Sequence, residues 1–384
     1  MSISAIDSRK SSSRLVESAV SVRIVRGRKA VLDLQAMLNE LSEQCGQSGA
    51  MEDLRYFLPR GKKKIPCVVL VSETCDLRHI ALGEIRQSDL TGAVLLCEYC
   101  LYGLGLRIYM TDDRIGLRTV VAAERLRVRV ASFACEGLMA AGAQMVLMCY
   151  RDAPGSSTWM ELLGENPQSA LKNIWGRRER DLPDYLALEE TFDGTLATIG
   201  QRTRSNLRYY RRRAERDLGC SFLPSMEIGR GEFFAFNARC KYALPGRIAW
   251  DRYVATREVP THFVAGTRAA DGRWLSLIGG RRQGTNTQIL WQMNRKDLPA
   301  YSLGTVIRSY LIEHEVARGA SRVSIEGGTP HAMRFSFVRQ TVIDLAVVRR
   351  SPMALAIKRY GWRAVPQENT LFHMLNAPNV EWRR

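Results

Sequence analysis

The chain has 384 residues, 46% apolar and 25% charged, which argues against a disordered polymer and suits two domains of ordinary size. It carries 56 Lys and Arg against 39 Asp and Glu, a formal charge of +17, and only nine of the cations are lysine. Such an arginine-rich balance disfavours cationic partners and suits phosphate, whether on a nucleic acid, an anionic membrane surface or a phosphorylated small molecule; the same charge spread evenly over the surface binds nothing in particular.

Residues 1–21 mix Ser, Arg and Lys without an apolar core of the kind a secretory signal needs, so 1–25 are expected to form a flexible leader. An amphipathic helix follows at 31–41, and the run Gly61-Lys62-Lys63-Lys64 precedes a β-branched strand at 65–72. Residues 92–101 and 104–110 read as neighbouring strands joined at Gly103. This most apolar stretch carries Glu98 and Arg107 and falls short of the roughly 20 residues of a membrane span. A polar loop at 111–119 leads into a helix at 120–141, ended by Gly142, and 144–150 is a buried strand. Cys97 and Cys100 form a C-x-x-C pair with no second pair to complete a zinc site. The nine cysteines therefore read as reduced core residues of a cytoplasmic protein, with no metal.

Residues 151–183 hold Pro154, Gly155, Pro167 and Pro183 and read as an interdomain connection, with the boundary near Asp184. Beyond it come a short strand at 186–188, a strongly basic helix at 205–218 closed by Gly219, and a helix at 232–242. Strands at 261–267, 273–282 and 287–293 make an antiparallel meander with turns at Asp271-Gly272 and Gly284. A polar loop at 294–304, a helix at 305–318 capped by Gly319 and a strand at 322–326 complete the series. Both halves run strand, strand, loop, helix, strand. That repetition predicts an α/β fold with a mixed sheet and two similar halves, 26–183 and 184–384.

The chemistry-bearing segment is 287–328, where a strand enters a loop that opens a helix. A helix N-terminus offers unpaired N–H groups and a positive dipole end, which suit a pyrophosphate. Ser302, Leu303, Gly304 and Thr305 occupy that terminus, with Arg295 and Lys296 upstream to meet phosphates. The basic helix carries Arg202, Arg204, Arg208, Arg211, Arg212, Arg213 and Arg216, a run read as lacking compensating acids, while Leu207, Tyr210, Ala214 and Leu218 recur at the spacing of a buried stripe.

Three local runs resemble a known family. Residues 202–215, Arg-Thr-Arg-Ser-Asn-Leu-Arg-Tyr-Tyr-Arg-Arg-Arg-Ala-Glu, are similar to its R-x-N-L-R-R-x-x-R helix. Leu303-Gly304-Thr305 is followed by Ile312-Glu313-His314 and Arg318-Gly319, and Glu326-Gly327-Gly328-Thr329-Pro330-His331-Ala332-Met333-Arg334-Phe335 resembles its Gly-x-x-Pro-Tyr-Lys-x-Arg-aromatic ending. The family is the GNAT-fold acyltransferases of the cellulose-biosynthesis (CelD/BcsL-like) type, related to the FemAB ligases, and the likeness covers about residues 186–345. His331 stands where Tyr is usual and Ala332 where Lys is usual, so the role of that Lys does not carry over.

The resemblance implies a tandem GNAT-like fold and direct attack of an amine on an acyl-CoA thioester. Backbone N–H groups of residues 291–294, including Trp291, Met293 and Asn294, then polarise the carbonyl. Glu326 or His331 accepts the amine proton, and Tyr301 or Tyr310 donates to the leaving thiolate. Arg204, Arg208, Arg212 and Arg334 face the acceptor, a small amine or sugar of polysaccharide or cell-envelope metabolism. The first half, with residues 112–119 in the loop position, is expected to be a degenerate copy. Two other readings stand beside this one: a FemAB-like transferase taking its acyl group from aminoacyl-tRNA, with the basic helix on the acceptor stem, and a catalytically silent GNAT-fold binding module.

Overall fold

A computed structural model describes residues 19–47, 54–58, 64–74, 90–101, 106–112, 119–152, 159–163, 172–325, 333, 336–365 and 369–383. Its strands are β1 (Ala19–Arg26), β2 (Lys64–Thr74), β3 (Leu90–Leu101), β4 (Leu106–Met110), β5 (Val120–Ala122), β6 (Met145–Arg151), β7 (Asn173–Ala187), β8 (Ser221–Leu223), β9 (His262–Arg268), β10 (Trp274–Gln283), β11 (Asn286–Asn294), β12 (Arg322–Ile325), β13 (Val338–Arg349) and β14 (Glu381–Arg383). The principal helices are α1 (Arg28–Leu32), α2 (Gln35–Gln44), α3 (Arg127–Ala140), α4 (Trp159–Leu163), α5 (Phe192–Thr198), α6 (Gln201–Leu218), α7 (Arg230–Ala238), α8 (Gly246–Arg257), α9 (Leu303–Ala317) and α10 (Pro352–Tyr360). The chain divides into two units: one takes the described residues up to Leu182 and from Gln340 onward, the other Pro183–Arg339.

In the first unit the strands lie in the order β1, β2, β3, β4, β6, β13, β7, with β5 on β3 and β14 on β7. Strand alternation supplies two cores. Val146 and Met148 of β6 join Ile343, Leu345 and Val347 of β13 under α3, whereas Met145 and Leu147 join Ala346 and Val348 under the C-terminal segment with Phe372 and Met374. A strand buried on both faces has no polar stripe, which is why 144–150 is almost wholly apolar. Helix α3 comes so close to β1 that a Cβ at Gly137 would lie 2.5 Å from Val22 Cγ1.

Several expectations need correction here. Residues 19–25 are not leader but strand, registered to β2 from Ala19↔Thr74 to Arg26↔Cys67; residues 1–18 lie outside the described part. The segment expected as one helix from 120 begins as β5, because β-branched Val120 and Val121 pair with β3 (Ala93↔Val121), and α3 starts only at Arg127. Much of the 15-residue strand β7 falls within the presumed connection at 151–183 and carries Pro183 between the residues registered to β14 and those registered to β12. The second unit is not 184–384 either. Residues from 340 onward belong to the first unit, since β13 pairs with β6 from Val342↔Arg151 to Val348↔Met145.

The second unit orders its strands β8, β9, β10, β11, β12 and the end of β7. Its core lies under α9, where Ile307 and Leu311 meet Ile278, Ile289 and Val323. Glu315 of the same helix is fully buried and joins Arg282 of β10, Thr287 of β11 and Arg318. The predicted repetition is present in the topology. β3 and β4 are antiparallel and β6 runs parallel to β4 after α3; β10 and β11 are antiparallel and β12 runs parallel to β11 after α9. Helix α8 has no counterpart in the sequence-based expectation. No helix among the described residues is long and apolar enough to cross a membrane.

Candidate functional site

The site is built by an irregularity in β11. Opposite Gly279 and Gly280 of β10 stand Trp291 and Ile289, so Leu290 is an extra residue, a β-bulge. The bulge reverses which residues face α9. Before it Thr287 bonds to Glu315 of α9; after it Gln292 donates to Gly304 O at 3.2 Å. Trp291 therefore turns to the other face of the strand. Its indole N–H donates to Thr256 of α8 at 2.8 Å, and its ring fills the space a Cβ on Gly279 would need, 2.3 Å from that position.

The bulge follows the residues of β11 that pair with the described part of β12. That parallel pairing runs from Asn286↔Arg322 to Ile289↔Ile325, the last described residue of the strand. Residues 290–294 continue with β10 alone, and among the described residues no strand covers their other edge. Of the residues expected to offer backbone N–H groups, Trp291 and Met293 have buried side chains.

Beyond β11 the chain is held by the segment following α7. Cys240 bridges Arg295, Lys241 N donates to Asn294 O at 2.9 Å and Lys296 N donates to Arg239 O at 2.9 Å. Arg295 is buried and grips Asp297 with two nitrogens. That contact holds the Asp297 carboxyl below the usual carboxylate range and raises the guanidinium of Arg295. Arg295 is thus an internal strut of the loop, while Lys296 is exposed.

After a 3₁₀ turn at Pro299–Tyr301, Ser302 adopts φ 45°, the left-handed region, and its carbonyl accepts from Thr305 N at 2.7 Å and Val306 N at 3.2 Å. The Ser302 and Thr305 hydroxyls lie 2.9 Å apart. Leu303 and Gly304 open α9, and their N–H groups meet no acceptor among the described residues. The Gln292 amide donates to Asn294 Oδ1 at 2.9 Å, while Gln292 Oε1 is buried without a partner among the described residues. Gly304 makes room for these amides: a Cβ there would lie 2.9 Å from Gln292 Nε2 and 3.2 Å from Asn294 Nδ2. Only flexible side-chain ends stand in the way, and alanine is the better helix former by up to about 1 kcal/mol. Gly304→Ala is therefore expected to leave the melting temperature nearly unchanged yet move the amide pair. Thermal denaturation together with calorimetric titration of a ligand separates the two effects.

The basic helix α6 lies beside this terminus. Arg213 sits 5.0 Å from the Tyr301 ring centroid and donates to Ala300 O at 3.2 Å. Arg211 stands 4.1 Å over the Tyr310 ring and pairs with Glu313 at 2.7 Å and Glu215 at 3.0 Å. Tyr310 donates to Glu215 at 2.7 Å, and burial with that bond pushes its phenol well above its ordinary value. Acids compensate the run after all: Asp193 meets Arg208 at 2.7 Å, and Asp217 meets Arg216 and Arg213. Glu215 and Asp217 lie within the helix; Asp193 and Glu313 come from α5 and α9, which only the packing reveals. Arg204, Arg208 and Arg212 share one stripe; Arg204 is half-buried, Arg208 and Arg212 are exposed.

Glu326, His331 and Arg334 lie outside the described residues. Burial pushes the thiols of Cys220 and Cys240 up to about 11 and about 12, so neither serves as a ready nucleophile. Sequence reasoning missed a surface groove of about 280 Å³ on α8, lined by Trp250, Tyr253, Val254, Arg257 and Glu258. Positions 250, 254, 257 and 258 follow one helical face, but without the helix itself that spacing carried no signal.

In the first unit Thr111 joins the equivalent parallel pair. Beyond Met110↔Leu147, Thr111 N donates to Leu147 O at 3.0 Å, and the Thr111 hydroxyl accepts from Cys149 N at 3.0 Å. The side chain of Thr111 thus holds β4 to β6 to the end of the strand, and Asp112 is fastened by Lys64 at 2.8 Å.

No family model matches the chain, and no curated protein matches it. Among solved structures, it is similar to FemX at 9% identity and a TM-score of 0.52, over 83% of this chain and 96% of that one. L-PGS from Bacillus licheniformis aligns at 12% identity and a TM-score of 0.47, over 84% and 94%. A tandem GNAT protein from the clavulanic acid biosynthesis pathway aligns at 10% and 0.43, over 86% and 99%. At such identities the likeness to FemX concerns the fold, and with the repeated topology it makes this a mixed α/β protein of tandem GNAT-like, FemX-like architecture.

Proposed function

We propose that this protein is an acyltransferase that carries an acyl group from acyl-CoA to an amine acceptor, using the second unit. The observation that supports this most is the five-residue run 290–294, which among the described residues pairs with β10 alone and leads by a short loop to the N-terminus of α9. Backbone N–H groups of such a strand edge can polarise a thioester carbonyl, and the N–H groups of Leu303 and Gly304 suit a pyrophosphate. In this reading the amine attacks the carbonyl carbon, the C–S bond breaks and the thiolate takes up a proton. Glu326 and His331 are the proposed bases and Tyr301 the proposed donor, with Lys296 at the phosphates. The bond from Cys149 N to the Thr111 hydroxyl, which ties β4 to β6 at this point, supports leaving the first unit without a donor. The acceptor is a small amine or amino sugar, as in the cellulose-biosynthesis type that the sequence motifs resemble.

A second reading, transfer from aminoacyl-tRNA, is favoured by Arg204 and Arg212, which have no acidic partner among the described residues. One experiment separates the two. Purified protein is titrated with acetyl-CoA, a longer acyl-CoA and total tRNA at two salt concentrations, and thiol release is followed with a panel of amines. Saturable binding of a CoA thioester, with thiol released only when an amine is present, supports the acyltransferase. Binding of tRNA alone, steeply weakened by salt, transfers the reading to the aminoacyl-tRNA reaction. Binding without turnover in any arm leaves a ligand-binding module and overturns both.

A further inference from the structure

Seven large apolar side chains stand exposed among the described residues, and three of them, Met353, Leu355 and Tyr360, fall within eight consecutive positions of α10. This clustering is not forced by the helix. Ser351 caps it by accepting from Ala354 N at 3.3 Å, Pro352 starts it, and its inner side is occupied by buried Ala354 and half-buried Ile357 against the C-terminal core. With the inner side satisfied, a solvent-facing helix ordinarily turns charged or amide side chains outward. Here the outward positions are Pro352, Met353, Leu355, Ala356, Arg359 and Tyr360, with Arg363 just beyond, so every outward group is either apolar or cationic.

Along the chain through this helix the charge has one sign. From residue 345 to 367 the chain holds five cations, Arg349, Arg350, Lys358, Arg359 and Arg363, and no Asp or Glu. Arg359 and Arg363 lie 5.4 and 5.8 Å from the Tyr360 ring centroid, which puts guanidinium groups alongside the exposed aromatic ring. An apolar face edged by arginines and an amphipathic ring matches the boundary of a bilayer, where apolar side chains enter the acyl region and guanidinium groups stay with phosphate headgroups. A water-soluble protein partner needs acids to complement these arginines as well as an apolar patch, whereas an anionic lipid surface offers both through one material.

We propose that α10 and the arginines beside it form a peripheral docking face for a membrane surface rich in anionic phospholipid. The face lies wholly within the first unit, independent of the donor site proposed for the second. The full-length protein is sedimented with vesicles of phosphatidylcholine alone, and with vesicles in which roughly 40% of the lipid is phosphatidylglycerol. Partitioning at least about tenfold stronger onto the anionic vesicles, and weakened by salt, is expected. The double variant Met353→Asp, Leu355→Asp is expected to lose about tenfold or more with an unchanged melting temperature, because both side chains are exposed. Arg359→Gln with Arg363→Gln is expected to remove the preference for anionic lipid. Equal sedimentation with both vesicles, or unchanged binding by the aspartate variant, overturns the proposal. So does an aspartate variant that turns a dimer into a monomer while vesicle binding persists, which makes the face a self-association surface.

Discussion

Glu315→Ala is expected to destabilise the second unit by about 3–5 kcal/mol, the loss typical of removing one partner from a buried ion pair. The carboxylate has no exposed surface and is bonded to Arg282 at 2.8 and 3.0 Å, to Arg318 at 3.1 Å and to the Thr287 hydroxyl. Alanine leaves the Arg282 guanidinium half-sequestered without an anion and the hydroxyl without its acceptor. Because Arg282 belongs to β10 and Thr287 to β11, the change also loosens α9 from the strand that carries the site. Burial tends to raise this carboxyl, but the bonds from Arg282 and Thr287 and the charges of Arg282 and Arg318 outweigh it and hold it below the usual carboxylate range. A carboxylate depressed on folding stabilises above its unfolded pKa, and that contribution is lost as the pH falls through the folded value. Glu315→Gln lacks this titration. The stability difference between wild type and Glu315→Gln, measured by denaturant unfolding, should therefore be largest near neutral pH and shrink below about pH 4. A difference independent of pH removes the argument.

Asp344→Ala is expected to cost the first unit a similar amount, about 3–5 kcal/mol. Asp344 is fully buried on β13 and accepts from Arg178 at 2.9 and 2.6 Å and from Arg180 at 2.6 and 2.7 Å, both on β7. Two guanidinium groups share one carboxylate, so its removal leaves them facing each other without the anion between them. The decisive comparison is with a triple variant, Asp344→Leu with Arg178→Met and Arg180→Met. Well-packed apolar side chains of similar volume replace buried ion clusters with little loss. The triple variant is expected to recover most of the stability lost by the single one, as read from unfolding midpoints. A triple variant no better than Asp344→Ala shows that packing rather than stranded charge governs the effect.

Local chemistry was legible from the amino-acid order wherever it needed only neighbours along the chain. Gly219 and Gly319 adopt φ 57° and 77° after their helices, and the meander and the loop-to-helix passage at 294–304 follow from turn residues and periodicity. The repetition of strand, strand, loop, helix, strand was equally visible, and with it the tandem plan. What depends on pairing between distant segments was not. Nothing local in 338–349 says that it pairs with β6 rather than staying with its sequence neighbours, or that residues 19–26 gain order from β2.

The same division runs through the site. Arg295 and Lys296 look alike as phosphate-seeking cations; only the packing shows one buried against Asp297 and the other exposed. The bulge at Leu290 lies opposite Gly279 and Gly280 of a neighbouring strand, whose missing Cβ atoms leave room for the Trp291 ring and the Gln288 carbonyl, so β11 alone carries no sign of it. The acids that neutralise the arginines of α6 come partly from α5 and α9. The sequence by itself thus determined the meander, the helices that glycines close, the repeat and the segment where a donor site is to be sought, because capping, turns and alternation are short-range. The tertiary structure decided which side chains are struts and which are available, because burial and ion pairing are set by residues far apart in the chain.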